Sequence, residues 1–164
     1  MVDSFKWLPP SMAAYYRARP IEKQEVPWAP LKKPLNQCRF SVVTTGGVYV
    51  KGKQPPFDVE RERREPFWGD PTYRVIPRDV RQEEIGVAHL HINTSDIEED
   101  VNIVLPIHRF LELEEAGEIG SLAPSSYSLM GFQWNQDEWR DRYGPEIAAR
   151  MKEEAVDAAL ITPV

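Results

Sequence analysis

The chain is poor in cysteine, in basic charge and in long apolar runs. Cys38 is the one cysteine among 164 residues, which excludes an internal disulfide and any cysteine-built metal cage. Basic side chains are outnumbered, with 20 Lys and Arg against 26 Asp and Glu and a net charge of −6. Nucleic acid is therefore not expected as a partner, because phosphate binding needs a basic face. No stretch approaches the roughly 20 consecutive apolar residues of a membrane-spanning helix. The opening Met1-Val2-Asp3-Ser4-Phe5-Lys6-Trp7 lacks the apolar centre of a signal peptide, so a cytoplasmic protein with no membrane association is expected. Complete Gly-x-Gly-x-x-Gly and Walker patterns are missing as well, and there are no internal repeats.

Proline, by contrast, is abundant and unevenly placed. Six of 15 prolines (Pro9, Pro10, Pro20, Pro27, Pro30 and Pro34) fall in residues 1–36. Proline removes an amide donor and disfavours helix in the residue before it. Residues 1–36 therefore read as an extended, Pro-rich N-terminal arm. The arm carries Phe5, Trp7, Tyr15, Tyr16 and Trp28, which need burial, so it is expected to wrap the domain or a partner. A short helix is predicted over Ser11–Arg19, with Ser11 as N-cap.

Residues 37–164 read as an α/β domain. Cys38–Thr45 is a β-rich run ended by Gly46-Gly47. Residues 51–71 form a long segment holding Glu60-Arg61-Glu62-Arg63-Arg64-Glu65. Its alternating signs predict a solvated surface loop, and its length suits a lid. Tyr73–Pro77 reads as a strand. Val87-Ala88-His89-Leu90-His91-Ile92 alternates at period two and reads as another, stopped by the turn-forming Asn93–Asp96. Pro106 opens a helix over Ile107–Ala116 that Gly117 closes. Ser126–Met130 is a further strand, and Asp137–Tyr143 a polar helical stretch. A last helix runs from Pro145 to about Glu154, with Ile147, Ala148, Met151 and Ala155 on one face. A buried strand then leads to Val164. This order predicts a mainly parallel sheet with flanking helices, a Rossmann-like open sheet.

Chemistry gathers beyond the carboxyl ends of the strands in such a sheet. Thr44-Thr45-Gly46-Gly47 sits at one such end, where it is either an anion nest for a substrate carboxylate or an ordinary turn. His89 and His91 would share one strand face with Asp96 close behind. That trio reads as a substrate or proton-transfer group, as a metal site, or as hydrogen-bonded histidines with no further role. Cys38 reads as a small buried residue. Trp134 and Trp139, with Tyr127 and Phe132, line either a subunit interface or the domain interior.

Taken together these segments resemble a known family. Phe40–Val48, Gly69–Pro77, His89–Asp96, Asn102–Arg109, Gly117–Pro124, Glu146–Arg150 and Val156–Val164 are similar, in this order, to the selenoprotein B family of glycine, sarcosine, betaine and D-proline reductases. The arm looks like that of the shorter, D-proline-reductase-type members. The resemblance implies a reductase subunit that cleaves a C–N bond of a small amino-acid-type substrate, assembled into an oligomer with other reductase subunits. It implies no cofactor in this chain, but selenocysteine, or cysteine, directly after the terminal strand, and a pyruvoyl group on a partner subunit that holds the substrate. The chain ends just before that position. It is therefore expected to be truncated at a selenocysteine codon and to lack a catalytic residue as it stands. Thr44, Thr45, Gly46, Gly47, His89, His91, Asp96, Thr162 and Pro163 are expected to shape the substrate pocket. A non-catalytic binding or scaffold paralogue and a metal-dependent hydrolase built on His89, His91 and Asp96 are the competing readings.

Overall fold

A computed structural model describes residues 4–18, 29–65 and 67–164. Arg19, Pro20, Pro27 and Trp28 of the expected arm lie outside these residues. The chain divides into two units, Met1–Pro30 and Leu31–Val164. In the first, a 3-10 turn spans Ser4–Trp7 and helix α1 spans Pro10–Ala18. The helix starts at Pro10 rather than behind a Ser11 cap, because a first-turn proline has no amide to leave unpaired.

The second unit is built around strand β1 (Arg39–Thr44). The chain continues through β2 (Val48–Val50), α2 (Val59–Arg64), β3 (Arg74–Pro77), β4 (Ile85–Val87), α3 (Ser95–Glu99) and α4 (Ile107–Glu115). It then forms β5 (Ser121–Leu122), β6 (Ser125–Ser128), α5 (Gly144–Glu153) and β7 (Ala158–Thr162). The β1 carbonyls alternate between its two edges. Phe40 O and Thr44 O accept from Ala123 N and Leu129 N at 2.7 and 2.9 Å, whereas Arg39 O accepts from Asp157 N at 2.8 Å. Strands β5 and β6 thus share one edge of β1 and β7 takes the other, all parallel to it.

The main sheet is mixed: three of its four pairings are parallel, in line with the expected mainly parallel sheet, and one is antiparallel. Strand β3 runs antiparallel to β6, and β2 pairs antiparallel with β4 in a separate ribbon. The ribbon follows from Gly47, whose φ of +65° turns the chain out of the main sheet. Helices flank both faces. On one, Phe110 of α4 packs against Phe40 with ring centroids 5.7 Å apart. On the other, Tyr127 of β6 meets Tyr73, which meets Tyr143 just before α5. The core includes Val42, Ile76, Ile85, Leu105, Ile107 and Leu122, each at most 1% exposed. Complete burial of such a side chain contributes about 1.5–3 kcal/mol.

Three expected elements change. The strand predicted over Val87–Ile92 ends at Val87. Ala88 N donates to Gly47 O, and His91 N then donates to the His89 Nδ1 at 3.1 Å. That local side-chain acceptor competes with a strand ladder and folds residues 88–94 into a loop. The run at residues 60–65 is solvated but helical rather than a loop: residues 60–64 lie on α2, with Asp58 Oδ1 capping Arg61 N at 2.9 Å, and Glu62 alone is buried. The terminal strand is not buried either. Strand β7 is an edge strand with Leu160 39% and Ile161 64% exposed.

The Gly47 turn generates a stability prediction. A Cβ at Gly47 would lie 2.3 Å from Ala88 O, whereas one at Gly52, where φ is +72°, meets nothing within 4 Å. Gly52→Ala should cost only the left-handed backbone term, about 1–2 kcal/mol. Gly47→Ala adds a backbone clash and should cost about 3 kcal/mol or more. Denaturant unfolding of the two variants measures the difference; equal losses would mean that the ribbon moves aside.

Candidate functional site at the strand ends

The parallel register of β1 and β7, from Phe40↔Ala158 to Thr44↔Thr162, brings their carboxyl ends side by side. Hydroxyl groups lock them there. Thr45 N donates to Thr162 O at 3.2 Å, and Thr45 Oγ1 accepts from Val164 N at 2.7 Å. Thr162 Oγ1 donates to Val104 O at 2.5 Å, tying β7 to the segment before α4. Thr44 Oγ1 accepts from Gly46 N at 3.1 Å. Pro163 lies between the two anchored residues and is exposed.

The Gly46 and Gly47 amides both find protein acceptors, Thr44 Oγ1 and Leu129 O. The turn therefore presents no pair of free amides of the kind an anion nest needs. Beside it, the chain leaving β6 passes directly over Thr45. A Cβ on Gly131 would lie 3.2 Å from Thr45 Oγ1 and 3.6 Å from Val164 O. Gly131 also borders a cleft of 390 Å³ with Leu129, Met130, Gln133, Gln136, Trp139 and Arg140. The cleft has an apolar floor and an amide and guanidinium rim, and it opens next to the ends of β1 and β7. This arrangement can hold a small molecule with one apolar and one polar end.

His89 and His91 lie one step away, because Ala88 bonds Gly47. Their rings meet edge to face at 6.0 Å. Burial, and secondarily His91, holds the His89 imidazole below the usual histidine range. His91 Nε2 stands 3.4 Å from Glu62 Oε1, within ion-pair reach, although Oε1 has no well-directed hydrogen bond. Burial pushes the Glu62 carboxyl above its ordinary value; His91 opposes this and Asp70 adds to it. Asp96 does not join the group. It sits exposed in the first turn of α3, with Ser95 Oγ at 3.4 Å. Among the described residues no three His, Cys, Asp or Glu side chains are grouped to hold a metal ion.

The structure thus brings together Thr44, Thr45, Gly46, Gly47, Thr162 and Pro163, sets His89 and His91 nearby, and leaves Asp96 apart. Sequence reasoning missed Gly131, the cleft residues other than Trp139, and Glu62. For Glu62 a signal was present: Val59 and Glu62 are spaced three apart behind a capping Asp58, so they share one helical face. Of the aromatic group, Tyr127 is fully buried, whereas Phe132 and Trp134 are 40% and 64% exposed. Trp139 packs on Tyr143 at 5.8 Å.

Comparison with known proteins bears on this geometry. The sequence model of the glycine/sarcosine/betaine reductase selenoprotein B family matches residues 15–164. D-proline reductase subunit gamma of Acetoanaerobium sticklandii is 34% identical over 135 residues, which cover 82% of this chain and 52% of that subunit. The glycine reductase complex component B subunit gamma of Carboxydothermus hydrogenoformans is 28% identical over 84% of this chain and 30% of its own length. The protein of that name in Symbiobacterium thermophilum is 30% identical over 84% of this chain and 31% of its own. This chain therefore spans about half of the first relative and under a third of the other two. No solved structure matches it.

The buried Glu62 yields a pH prediction. A carboxyl whose folded-state proton affinity is raised keeps a proton that the unfolded chain releases. Stability then falls as pH rises from the ordinary carboxylate range through the raised value. Glu62→Gln removes that loss. Its urea midpoint should therefore gain on the parent's as pH rises above the ordinary carboxylate range, about pH 4. A gap that stays constant with pH would show that His91 fully offsets the burial.

Proposed function

This chain belongs to the glycine/sarcosine/betaine reductase selenoprotein B family, and from that premise we propose that it is part of a selenol- or thiol-dependent reductase subunit. Its substrate is a small amino acid or N-alkylated amino acid whose C–N bond is reductively cleaved. The observation that carries this reading is the meeting of Thr45 and Val164 beside Gly131, at the mouth of the 390 Å³ cleft. Strand carboxyl ends bordering a crevice are where α/β sheets bind ligands.

The redox position is assigned to the residue that follows Val164 in the family pattern, where a selenol or thiol would supply a soft nucleophile ionised near neutral pH. Cys38 is not given that role, since it lies at the amino end of β1 and is fully buried. Thr45 acts as a positioning residue, holding the Val164 amide and so the direction in which the chain leaves β7. Thr162 anchors the same strand through Val104 O. Thr44, Gly46 and Gly47 are proposed to support the pocket from the adjoining strand end by packing, their amides being bonded within the protein. His89 and His91 are proposed to face the substrate from the neighbouring loop, and Asp96 is the weakest of the assignments. The partners are other reductase subunits, including one that carries a pyruvoyl group. The exposed Leu160 and Ile161 on β7 suit such an assembly.

Intact mass of the natural gene product, with peptide sequencing past Val164, tests the assignment directly. A selenocysteine or cysteine following Val164 is expected, and a dithiol-driven assay with the partner subunits should convert D-proline, glycine, sarcosine or betaine. Thr45→Val should lower that turnover by about 10- to 100-fold, the cost of a misplaced reacting group, with little change in melting. A natural product that carries no chalcogen there and still reduces substrate would refute the reading. A folded product with a chalcogen that converts none of the four would favour a binding or scaffold role.

A further inference from the structure

A second pocket lies across Gln133 from the first cleft. It has a volume of 160 Å³ and is bordered by Phe67, Trp68, Trp134 and Glu138, among others. Two of its rings are unusually solvent-facing for their size: Phe67 is 70% and Trp134 64% exposed, yet they contact each other with centroids 5.3 Å apart at 60°. The third ring, Trp68, has the Arg61 guanidinium 4.2 Å above it.

The pocket is a built feature of the fold. Its two walls, residues 67–71 and 132–138, are held together by Gln133 Nε2 donating to Asp70 O at 2.8 Å. They also depend on Gly69, where a Cβ would lie 1.9 Å from Phe132 O. Only glycine permits that approach. Asp70 is itself fixed, accepting from Asp58 N at 3.0 Å and Thr72 N at 2.9 Å.

The electrostatics select a cation. Aromatic faces are negative, and rings around a pocket attract ammonium groups. The cations nearby are already matched: Arg61 by Glu65 at 3.1 Å, Arg142 by Glu146 at 3.1 Å, and Arg140 by Asp137 at 2.6 Å and Asp141 at 3.0 Å. Among the described residues Glu138 makes no hydrogen bond or ion pair; its charge acts on Arg142, which is already paired with Glu146, and it borders the pocket. Rings offer a primary ammonium no acceptors for its N–H groups, but they offer alkyl substituents dispersion contact. At roughly 30 Å³ per water, 160 Å³ holds about five water-sized groups, which suits an ammonium carrying small alkyl groups.

We propose that Phe67, Trp68, Trp134 and Glu138 form a binding site for the alkylated ammonium head of a small molecule. The site does not depend on the reductase reading, because occupancy is measured without turnover. The experiment titrates the purified natural protein with choline and, separately, with its uncharged isostere 3,3-dimethyl-1-butanol, following the tryptophan indole N–H signals by NMR. Choline should shift the Trp68 and Trp134 signals saturably, and the isostere should bind at least about 5-fold more weakly, as a cation–π contribution requires. Trp134→Ala and Glu138→Gln should each weaken choline by a similar factor. Both positions are exposed, so an otherwise unchanged amide spectrum confirms folding. Equal binding of the isostere, shifts confined to Trp139, unaltered affinity in both variants, or no saturable shift at all would each overturn the site.

Discussion

Strand β1 is hydrogen-bonded along both edges to parallel neighbours, and a parallel pair cannot be closed by a hairpin. Each crossover leaves a strand at its carboxyl end and re-enters the next at its amino end, so the stretches that follow the parallel strands gather beyond the carboxyl ends. Three separate stretches accumulate there: residues 44–47 after β1, residues 129–131 after β6, and residues 162–164 at the end of β7. Gly46 and Met130 even form an isolated bridge between the first two. The site owes its existence to strand direction before it owes anything to particular side chains.

What the side chains add is closure of the polar accounts at that end. Several polar residues are completely buried beside it: Ser41, Thr44, Ser126 and Ser128. Most satisfy backbone groups that the short, offset strands leave over. Ser41 Oγ donates to Ser125 O at 2.9 Å, where β5 gives way to β6. Ser128 Oγ accepts from Val48 N at 2.7 Å, where the chain departs into the ribbon. A hydroxyl is a small donor and acceptor in one, which lets a sheet change direction without stranding an amide. Among the described residues four buried side-chain atoms remain unmatched, Ser126 Oγ and Tyr127 OH among them, and burial drives the Tyr127 phenol up to about 12. It stays neutral across any ordinary pH.

Much of this was legible in the residue order where one local cause dominated. Strand β3, α4 and α5 fell near their expected places because proline, glycine and periodicity all pointed the same way. Thr44–Gly47 and the closing run to Val164 marked the ends of β1 and β7 as a candidate site, and the structure sets those ends side by side. Long-range pairing was not legible. Strand β2 is three residues long and is defined by β4, 35 or more residues later, so no local signal marks it. The histidine segment alternates correctly for a strand, but a bond from His91 N to the ring of His89 decided otherwise. Charge patterning misplaced Glu62 because alternating signs describe composition, whereas burial depends on which helical face meets the loop at residues 88–94. The aromatic pocket was hidden for a related reason. Phe67 and Trp134 are far apart in sequence, and what joins them is the absence of a side chain at Gly69.

Cys38 shapes how the protein can be handled at the bench. It is the sole cysteine, fully shielded, with its sulfur 3.5 Å from Lys33 O, and thiolates react only where reagents reach them. Alkylating agents applied to the native fold should pass it by and mark it only in denaturant. A single chain thus contains its own internal standard: the adduct gained on unfolding counts the protein, and an adduct gained under native conditions reports opening of the fold around β1.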